Sequence, residues 1–344
     1  MELSKWAIVG FKDDTGIGRM CQDIQKVIGI GKHLVVPSER MQTKDIIKSK
    51  EYLMCENQDT NALVEQMSGL EGIICIERLH WNQMLIPTAK KLGLKIVCVP
   101  MWEWFRGTDK EWKIVDRFLC PNQKSIDILH LYGFSNACKV NWALDTSSLP
   151  IRKINGTAQT FFHNVGLVDH DDRKGTTTVI EAFKKVKNPD LRLIVRMQQH
   201  NPLPNLDKRI EVRVCNLQNQ SELYLEGDAA IQPSQMEGLG FMVLEPVCCG
   251  LPVITTNAPP MNEYVCNHLM RAKTQIFKKK SFAHKSAAIK HAYLTPPSVS
   301  CLANRIEWCS RNDLTNISNE NRIWGQKKFN QVNLRKEWIK ALNF

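Results

Sequence analysis

Two glutamates in the stretch PSQMEGLGFMVLE, residues 233–245, stand eight positions apart around a glycine turn and an apolar run. At neutral pH the carboxylates of Glu237 and Glu245 are ionised, so they can only accept hydrogen bonds. Paired hydroxyls, such as those of a ribose or a hexose, are suitable donors to such groups. The two residues therefore indicate a sugar or nucleotide site, although an amphipathic helix with a capping loop would show the same pattern.

The residues around this pair predict a strand, a loop and a helix in that order. DAAIQPS (228–234) has the character of a buried strand, and a helix is expected to begin near Phe241 and to end before Gly250. Gly238 and Gly240 would let backbone N–H groups approach a ligand, because glycine has no Cβ. The first N–H groups and the dipole of a helix point outward, so this turn is expected to bind an anionic or hydroxyl-rich ligand.

Short apolar runs alternate with amphipathic segments along most of the chain. This β-α-β-α order predicts a parallel sheet with helices on both faces. The alternation breaks in the polar segment 142–160, so we expect two doubly wound α/β halves with a cleft between their strand ends. The predicted strands are 6–11, 72–76, 95–100, 117–122, 160–168, 191–197, 210–216, 228–234 and 251–257, and the predicted helices include 80–94, 123–133 and 176–186. The predicted domains are 1–150, 151–325 and a C-terminal helix in 326–344 that could pack back on the first domain.

Length and charge narrow the functional classes. The 344 residues are enough for two domains. The formal net charge of +11 is compatible with three interpretations: a solvated basic surface, a site for an anionic ligand or membrane face, or a nucleic-acid-binding surface. The densest basic run, 278–280, lacks interleaved aromatic residues, so no nucleic-acid partner is expected. The N-terminus does not have the pattern of a signal peptide, and no window approaches the roughly 20 apolar residues of a membrane span. We therefore expect a cytoplasmic location, with peripheral membrane contact through the basic surface left open.

Three segments resemble the signature of a known enzyme family. IQPSQMEGLGFMVLEPVCCGLPVITTNAPPMNEYV (231–265) carries Pro-Ser, Glu-Gly-x-Gly, a second glutamate and then Gly-x-Pro-Val-Ile. NVGLVDHDDRKGTTTVIEAFKKV (164–186) places Lys-Gly between a strand and a helix, and WAIVGFKDDTGIGRMCQDI (6–24) has a glycine loop. Together they resemble the retaining glycosyltransferases of family 4, or glycosyltransferase group 1. The resemblance implies the GT-B fold, with two Rossmann-like domains and a cleft between them.

The resemblance also implies roles for individual residues of a nucleotide-sugar site. Glu245 would accept hydrogen bonds from the ribose hydroxyls, and Glu237 from hydroxyls of the transferred sugar. Lys174 would face the diphosphate as a point charge on a flexible stem. The other implied donor-side positions are Gly238, Leu239, Gly240 and Phe241 around the helix start, and Gly16, Gly18 and Arg19 in the glycine loop of the first half.

The chain departs from the family pattern near the phosphates. Leu167 stands where the family usually has an arginine, so Arg173 or Arg196 is expected to join Lys174 in the phosphate clamp. The family tends to have Gly-Gly before the glutamate that matches Glu263, but here the residues are Pro259-Pro260-Met261-Asn262, and Pro260 cannot donate a backbone N–H group. The nearby acidic run 169–172 lies in a polar loop, and no metal site is expected there.

A second departure concerns acid–base chemistry. Many members carry a histidine after the strand that matches KIVCVP, but here the loop reads MWEWFRG. Glu103 in that loop and His80 are the candidates for the catalytic role, with a structural histidine as the alternative for His80. Trp102 and Trp104 could stack on a sugar or pack the domain seam.

The resemblance implies transfer of a hexosyl or pentosyl group with retention of anomeric configuration. The expected donor is a UDP- or GDP-linked sugar, and the expected acceptor is a glycan, glycolipid or glycoprotein in glycan biosynthesis. The resemblance also implies that no cofactor and no metal are needed. A front-face displacement is expected, in which the leaving diphosphate helps to deprotonate the acceptor. The protein would mainly position the donor and stabilise charge on the leaving group.

Two other classes of protein remain as alternatives. One is a non-catalytic or degenerate GT-B protein that binds a nucleotide-sugar or glycan without turnover. The presence of both Glu237 and Glu245 argues against it, whereas Leu167 argues mildly for it. The other is a nucleotide-sugar epimerase of similar fold, which would need no acceptor.

Overall fold

The computed structural model describes residues 2–13, 15–37, 60–166, 172–200, 202–217, 219–265, 267–274, 279–280 and 293–344. The chain divides into two compact units. The first comprises Met1–Asp145 together with Phe329–Phe344, and the second comprises Thr146–Lys328. The sequence placed these boundaries after residue 150 and after residue 325. Leu167, the run 169–171 and Lys278 lie outside the described residues.

The described strands of the first unit form one six-stranded parallel sheet, in the order β2-β1-β3-β4-β5-β6. Its strands are Val-, Ile- and Cys-rich because both faces are covered, and every residue of GIICIE in β3 is buried. The strands are β1 Trp6–Gly10, β2 Lys32–Val35, β3 Gly72–Glu77, β4 Lys95–Pro100, β5 Arg117–Cys120 and β6 Ala137–Lys139.

The helices of the first unit follow the strands as crossover connections. The short strands β2 and β6 were not predicted, and the predicted helix at 80–94 begins only at Leu85. Asn122 caps the helix after β5 by accepting a hydrogen bond from the backbone N–H of Ser125 at 2.9 Å. The described helices are α1 Gly16–Asp23, α2 Thr60–Met67, α3 Leu85–Lys91, α4 Gln123–Leu131 and, from the C-terminus, α10 Gln331–Leu342.

The second unit contains another six-stranded parallel sheet among its described residues, in the order β12-β11-β10-β7-β8-β9. Its strands are β7 Thr160–Gly166, β8 Arg192–Met197, β9 Ile210–Val214, β10 Ala229–Gln232, β11 Val253–Thr256 and β12 Arg271–Ala272, and β13 Lys279–Lys280 pairs antiparallel with β14 Tyr293–Leu294. Its helices are α5 Thr176–Lys185, α6 Phe241–Cys249, α7 Met261–Tyr264, α8 Val299–Cys309 and α9 Thr315–Lys328. Within the described ranges, none of the helices has the length and apolar composition that crossing a lipid bilayer requires.

The strand order of each sheet reverses at one point. In the first sheet β2 lies on one side of β1 and β3 on the other, so the reversal falls between β1 and β3. In the second sheet β8 and β10 flank β7, so the reversal falls between β7 and β10. Ligands of open parallel sheets bind at the carboxyl ends of the strands at such a switch point. Ligand-binding residues are therefore expected in the loops after these four strands.

The C-terminal helix α10 packs within the first unit. The Glu337 carboxylate accepts hydrogen bonds from the backbone N–H of Asn141 at 2.7 Å and from its side-chain amide at 2.9 Å. The indole N–H of Trp338 donates to the backbone carbonyl of Asn141 at 2.9 Å. Trp338 is fully buried and meets Trp142 edge to face, with ring centroids 6.1 Å apart. Residues far apart in sequence thus complete the core of this unit.

We expect Trp338→Ala to lower the free energy of unfolding of the first unit by about 3–5 kcal/mol, because it leaves a large cavity. Urea unfolding monitored by tryptophan fluorescence measures this change in stability. The signal comes mainly from the first unit, because of the nine tryptophans only Trp308 and Trp324 lie in the second unit. Val332→Ala, at an exposed position of the same helix, is the control and should change stability by less than about 0.5 kcal/mol. A Trp338→Ala effect no larger than the control would contradict the docking of α10.

Candidate functional site

Two loops meet at the switch point of the second sheet, one after β7 and one after β10. The backbone N–H of Gln235 donates to the carbonyl of Arg173 at 2.7 Å, and its side-chain amide donates to the carbonyl of Asp172 at 2.6 Å. The carbonyl of Gln235 in turn accepts from the backbone N–H of Thr295 at 3.0 Å and from its hydroxyl at 2.7 Å. Gln235 therefore fixes the relative position of both loops.

Glycine is required where these loops touch. Gly175 has φ +77°, and a Cβ at this position would lie 2.7 Å from the carbonyl oxygen of Pro233. The following helix α5 is capped by Asp172, whose carboxylate accepts from the backbone N–H of Thr177 at 2.7 Å. The sequence Asp-Arg-Lys-Gly (172–175) thus forms a turn just before helix α5. This turn holds the cations Arg173 and Lys174 beside the loop after β10.

A buried histidine braces the sheet beneath these loops. His163 Nδ1 lies 2.7 Å from the carbonyl oxygen of Ile231, and its Nε2 lies 3.0 Å from the hydroxyl of Thr176. Because a carbonyl can only accept, Nδ1 carries the proton, and in the neutral ring Nε2 accepts from Thr176. This bridge joins β7 to β10 and to the first residue of α5.

The Glu237 carboxylate is the electrostatic centre of the site. It is nearly inaccessible, with 7% of the side chain exposed, and lies 2.6 Å from Lys174 Nζ and 3.4 Å from Arg173 Nη1. Burial by itself would raise the pKa of this carboxyl, but the charges of Lys174 and Arg173 outweigh burial and lower the pKa below its ordinary value. Glu237 is therefore ionised at neutral pH, and the three residues together carry a net positive charge.

Helix α6 begins immediately after this cluster. Gly240 is its N-cap, in the left-handed conformation with φ +83°, and its carbonyl accepts from the backbone N–H groups of Val243 and Leu244 at 3.0 Å. Gly238 and Leu239 are buried, and Phe241 is half-buried. The N–H groups of a first helical turn point past the helix end, and their dipole favours an anion there. The nine-residue helix thus adds positive potential beside Lys174 and Arg173.

Glu245 lies one turn into α6, where sequence analysis expected it to face a ligand together with Glu237. It is fully buried, and the Gln220 side-chain amide donates to its two oxygens at 2.6 and 2.7 Å. The hydroxyl of buried Tyr224 also donates to this carboxylate. Ligand binding at Glu245 would therefore involve displacement of the Gln220 amide.

Gln220 and Tyr224 were missed by sequence analysis, although a local signal was present. They lie on a 3-10 turn, Gln220–Tyr224, that begins with a capping box in which Asn219 and Glu222 bond each other's backbone. The sequence N-x-x-E therefore marks the start of this turn. What it does not show is that the turn returns to α6 and presents an amide and a phenol to Glu245.

Arg196 lies on the other side of β7 from the Glu237 cluster. It is the penultimate residue of β8, and its guanidinium donates to Glu226 Oε2 at 2.5 Å and to the carbonyl of Leu223 at 3.4 Å. The guanidinium also lies 5.7 Å from the ring centroid of Phe162. Of the two arginines proposed to replace the cation missing at Leu167, Arg173 is therefore the one that joins Lys174.

The predicted residues of the first unit lie after the carboxyl ends of β1, β3 and β4. Gly18 is tightly enclosed, since a Cβ there would lie 2.3 Å from the carbonyl oxygen of Asp13, whereas Gly16 faces open space. Arg19 Nε donates to buried Asp23 at 2.8 Å, and the Trp142 indole donates to the other oxygen of that carboxylate at 3.3 Å. Part of the charge of Arg19 is thus balanced within its own helix.

The two acid–base candidates of this unit differ in exposure. His80 is exposed, and its Nδ1 lies 3.1 Å from Oε2 of Glu111, which is also exposed. Glu103 is buried in the loop after β4. In the same loop Trp102 is buried beneath Lys124, whose Nζ lies 5.1 Å from the ring centroid, while Trp104 is 42% exposed. Of these two tryptophans, Trp104 is thus the more exposed.

Part of this chain is similar in sequence to a known protein family. Residues 159–298 match the family model described as glycosyl transferases group 1, a range that contains both loops of the switch point. The match lies within the second unit and covers less than half of the chain. No curated protein sequence matches the chain at a significant level.

Solved structures share the fold at low sequence identity. S. aureus TarM, as a mutant in complex with fondaparinux, alpha-GlcNAc-glycerol and UDP, is 13% identical with a TM-score of 0.56, over 88% of this chain and 57% of TarM. The lipopolysaccharide outer core galactosyltransferase WaaB in its apo form is 12% identical with a TM-score of 0.61, over 98% of each chain. A glycosyltransferase from Rickettsia africae ESF-5 is 12% identical with a TM-score of 0.62, also over 98% of each chain. This likeness confirms the predicted fold class, two Rossmann-like units of the GT-B type, and the chain spans little more than half the length of TarM.

We expect Gly175→Ala to disturb both loops of the switch point, because the new Cβ would force Pro233 away. Hydrogen–deuterium exchange should become faster not only in 172–180 but also in the unmutated segment 231–240. Gly156→Ala is the matched control, since Gly156 has φ +83° but nothing within 4 Å of the added Cβ. The left-handed conformation costs about 1–2 kcal/mol in both variants, and only Gly175→Ala adds a clash of about 1–3 kcal/mol. Unchanged exchange in 231–240 would contradict the coupling of the loops.

Proposed function

We propose that this chain is a retaining glycosyltransferase that moves a sugar from a UDP- or GDP-linked donor to a hydroxyl of a glycan, glycolipid or glycoprotein. The observation that carries the proposal is the buried Glu237 carboxylate held by Lys174 and Arg173 at a sheet switch point. It lies inside the range that matches the group 1 glycosyltransferase model. TarM has been seen with UDP, which supports a test with this nucleotide.

The diphosphate of the donor would bind between the cations and the helix. Lys174 and Arg173 supply positive charge from the loop after β7, and the first turn of α6 supplies backbone N–H groups from the loop after β10. Because Glu237 already holds both cations in place, little reorganisation would be needed when the diphosphate arrives. We propose that this charge suffices for turnover without a metal ion.

Glu237 would have a second role toward the transferred sugar. Its carboxylate is ionised and acceptor-only, so it can bind sugar hydroxyls while it orients Lys174. Glu245, one turn further along α6, would accept hydroxyls of the ribose in place of the Gln220 amide. The spacing of the two glutamates on one loop and helix would then set the separation of sugar and nucleoside.

The proposed reaction is a front-face displacement at the anomeric carbon. The bond from this carbon to the acceptor oxygen forms as the bond to the diphosphate oxygen breaks, and the acceptor proton passes to the leaving diphosphate. Negative charge grows on the diphosphate during the step, so its attraction to Lys174 and Arg173 increases toward the transition state. The contribution of the enzyme is thus positioning and electrostatic stabilisation rather than a protein base.

We expect Glu245→Gln to weaken the binding of UDP or GDP by roughly 10- to 100-fold, because a charge-assisted hydrogen bond contributes about 1.5–3 kcal/mol. Isothermal titration calorimetry with each nucleotide gives this affinity. Gln220→Ala is the control, since it removes the amide that occupies Glu245 and should leave affinity unchanged or higher. Equal affinities of wild type and Glu245→Gln would contradict the ribose assignment, and failure of the wild type to bind either nucleotide would contradict the donor site.

We expect Lys174→Met to reduce turnover by about 10²-fold, comparable to the loss of one preorganised charge-stabilising group. Release of nucleotide from UDP-glucose, UDP-N-acetylglucosamine, UDP-galactose and GDP-mannose measures turnover. Lys185→Met, at the exposed C-terminal residue of helix α5, makes the same chemical change away from the site and should keep full turnover.

A further variant separates electrostatic catalysis from folding. Lys174→Met removes one partner of buried Glu237, and an uncompensated buried charge destabilises a protein by several kcal/mol. Adding Glu237→Gln removes that charge and should restore thermal stability without restoring turnover. Near-normal turnover in Lys174→Met, or its recovery in the double variant, would contradict the phosphate role of Lys174.

A further inference from the structure

Arg152 lies in the segment that follows the boundary between the two units, and its backbone packs against the end of helix α6. Its N–H group donates to the carbonyl of Cys249, the last residue of α6, at 2.7 Å. A Cβ at the C-cap Gly250, which has φ +89°, would lie 2.7 Å from the carbonyl oxygen of Arg152. This segment is therefore held against the helix that carries Glu245.

The side chain of Arg152 reaches a different element. Its guanidinium donates to the carbonyl of Tyr224 and, at 2.8 Å, to the carbonyl of Gly227. The last carbonyls of a helical turn have no partner within the turn, and the planar fork of a guanidinium can serve two carbonyls at once. Tyr224 ends the 3-10 turn Gln220–Tyr224, which contacts Glu245 through its phenol and its amide. Arg152 thus joins the helix that carries Glu245 to the turn that holds its carboxylate.

The turn is short, and its position depends on tertiary contacts. A 3-10 helix of five residues is not stable by itself. Tyr224 meets Phe162 edge to face with centroids 6.4 Å apart, and a Cβ at Gly227 would lie 2.8 Å from the Phe162 ring. Packing on Phe162 and hydrogen bonding to Arg152 therefore fix this segment together.

Nucleotide binding would make the Arg152 contacts more important. In the proposed complex, ribose hydroxyls replace the Gln220 amide on Glu245, so one side-chain contact between the turn and α6 is lost. The Tyr224 hydroxyl still donates to the carboxylate, which has further lone pairs for the ribose. Because the guanidinium contacts do not involve Glu245, they persist when the ribose binds and keep Tyr224 in place.

We propose that Arg152 is a positioning residue of the nucleotide site. It acts through the carbonyl of Tyr224, so that the Tyr224 hydroxyl fixes the orientation in which the Glu245 carboxylate accepts the two hydroxyls of a ribose. This inference rests on the proposed function, because it requires that Glu245 binds the donor. It also gives the segment after the unit boundary a role in donor affinity.

The test measures the affinity of the full chain for UDP and GDP by calorimetry. Arg152→Gln removes the charge and the forked donor but keeps a polar side chain. Arg209→Gln is the matched control, because the Arg209 guanidinium also donates to backbone carbonyls of the second unit, but around the C-terminal end of α5. These carbonyls belong to Phe183, Val186 and Asn188, at 2.6–3.2 Å. Thermal melting of each protein shows how much stability the substitution removes.

We expect Arg152→Gln to weaken nucleotide binding by about tenfold or more, and Arg209→Gln to stay within about twofold of the wild type, although both variants melt at a lower temperature. At saturating UDP, hydrogen exchange in 220–227 should become slower in the wild type and remain fast in Arg152→Gln. A purely structural role of Arg152 would lower the melting temperature and leave nucleotide affinity unchanged, and that result would overturn the inference.

Two further variants test the route through Tyr224. Tyr224→Phe removes the hydroxyl, keeps the ring, and should weaken binding by about tenfold. The double variant with Arg152→Gln should lose much less than the product of the two effects, because both act on one contact, and additive losses would contradict this route. Arg152→Lys cannot reproduce the planar fork, so its affinity should lie between those of the wild type and Arg152→Gln. If Arg152→Gln does not fold, wild-type affinity in Arg152→Lys overturns the inference.

The same titrations separate this inference from the donor site on which it rests. A wild type that binds neither UDP nor GDP would refute the donor site and the role of Arg152 with it. Binding that is weakened by Glu245→Gln but not by Arg152→Gln would refute the role of Arg152 alone. Binding that both substitutions weaken, while Arg209→Gln does not, supports Arg152 as a positioning residue.

Discussion

A buried carboxylate needs nearby positive charge, and this requirement organises the second unit. Glu237 is almost inaccessible to water, and burial alone would raise its pKa, but the charges of Lys174 and Arg173 outweigh burial and keep it ionised. Since the cations follow β7 and the glutamate follows β10, their pairing joins the two loops at which the strand order reverses. Gly175 and Gln235 permit and fix the close approach of these loops. The geometry of the site is therefore set before any ligand arrives.

This arrangement has a chemical consequence. One carboxylate and two cations leave a net positive charge, and the first turn of α6 adds to it. A diphosphate is attracted to this point, while the carboxylate remains available as an acceptor for hydroxyls. A nucleotide-sugar carries both kinds of group, a diphosphate and the hydroxyls of the sugar linked to it.

In both sheets the strand order reverses at one point, but the side chains at the two reversals differ. At the reversal between β7 and β10 the loops carry cations, a helix start and close backbone contacts. At the reversal between β1 and β3 they carry Glu77, which has φ +69°, and the edge-to-face pair of Trp81 and Phe11. Parallel strands bring their carboxyl ends to one edge in both cases. A positively charged edge suits a phosphorylated ligand, whereas the edge of the first sheet carries a buried carboxylate beside aromatic rings.

The sequence by itself determined the fold class, because apolar strands and amphipathic helices alternate as in a parallel α/β chain, a polar segment divides them into two halves, and three motifs resemble those of GT-B enzymes. It also identified Glu237, Lys174 and Arg173, since Glu-Gly-x-Gly and Lys-Gly are local patterns. Only the tertiary structure decided which groups meet. It buried Glu245 against Gln220 and Tyr224, turned Arg196 toward Glu226, and gave Glu77 its positive φ. The physical reason is that hydrogen bonds and ion pairs between distant segments depend on strand order and loop path, which no local pattern encodes.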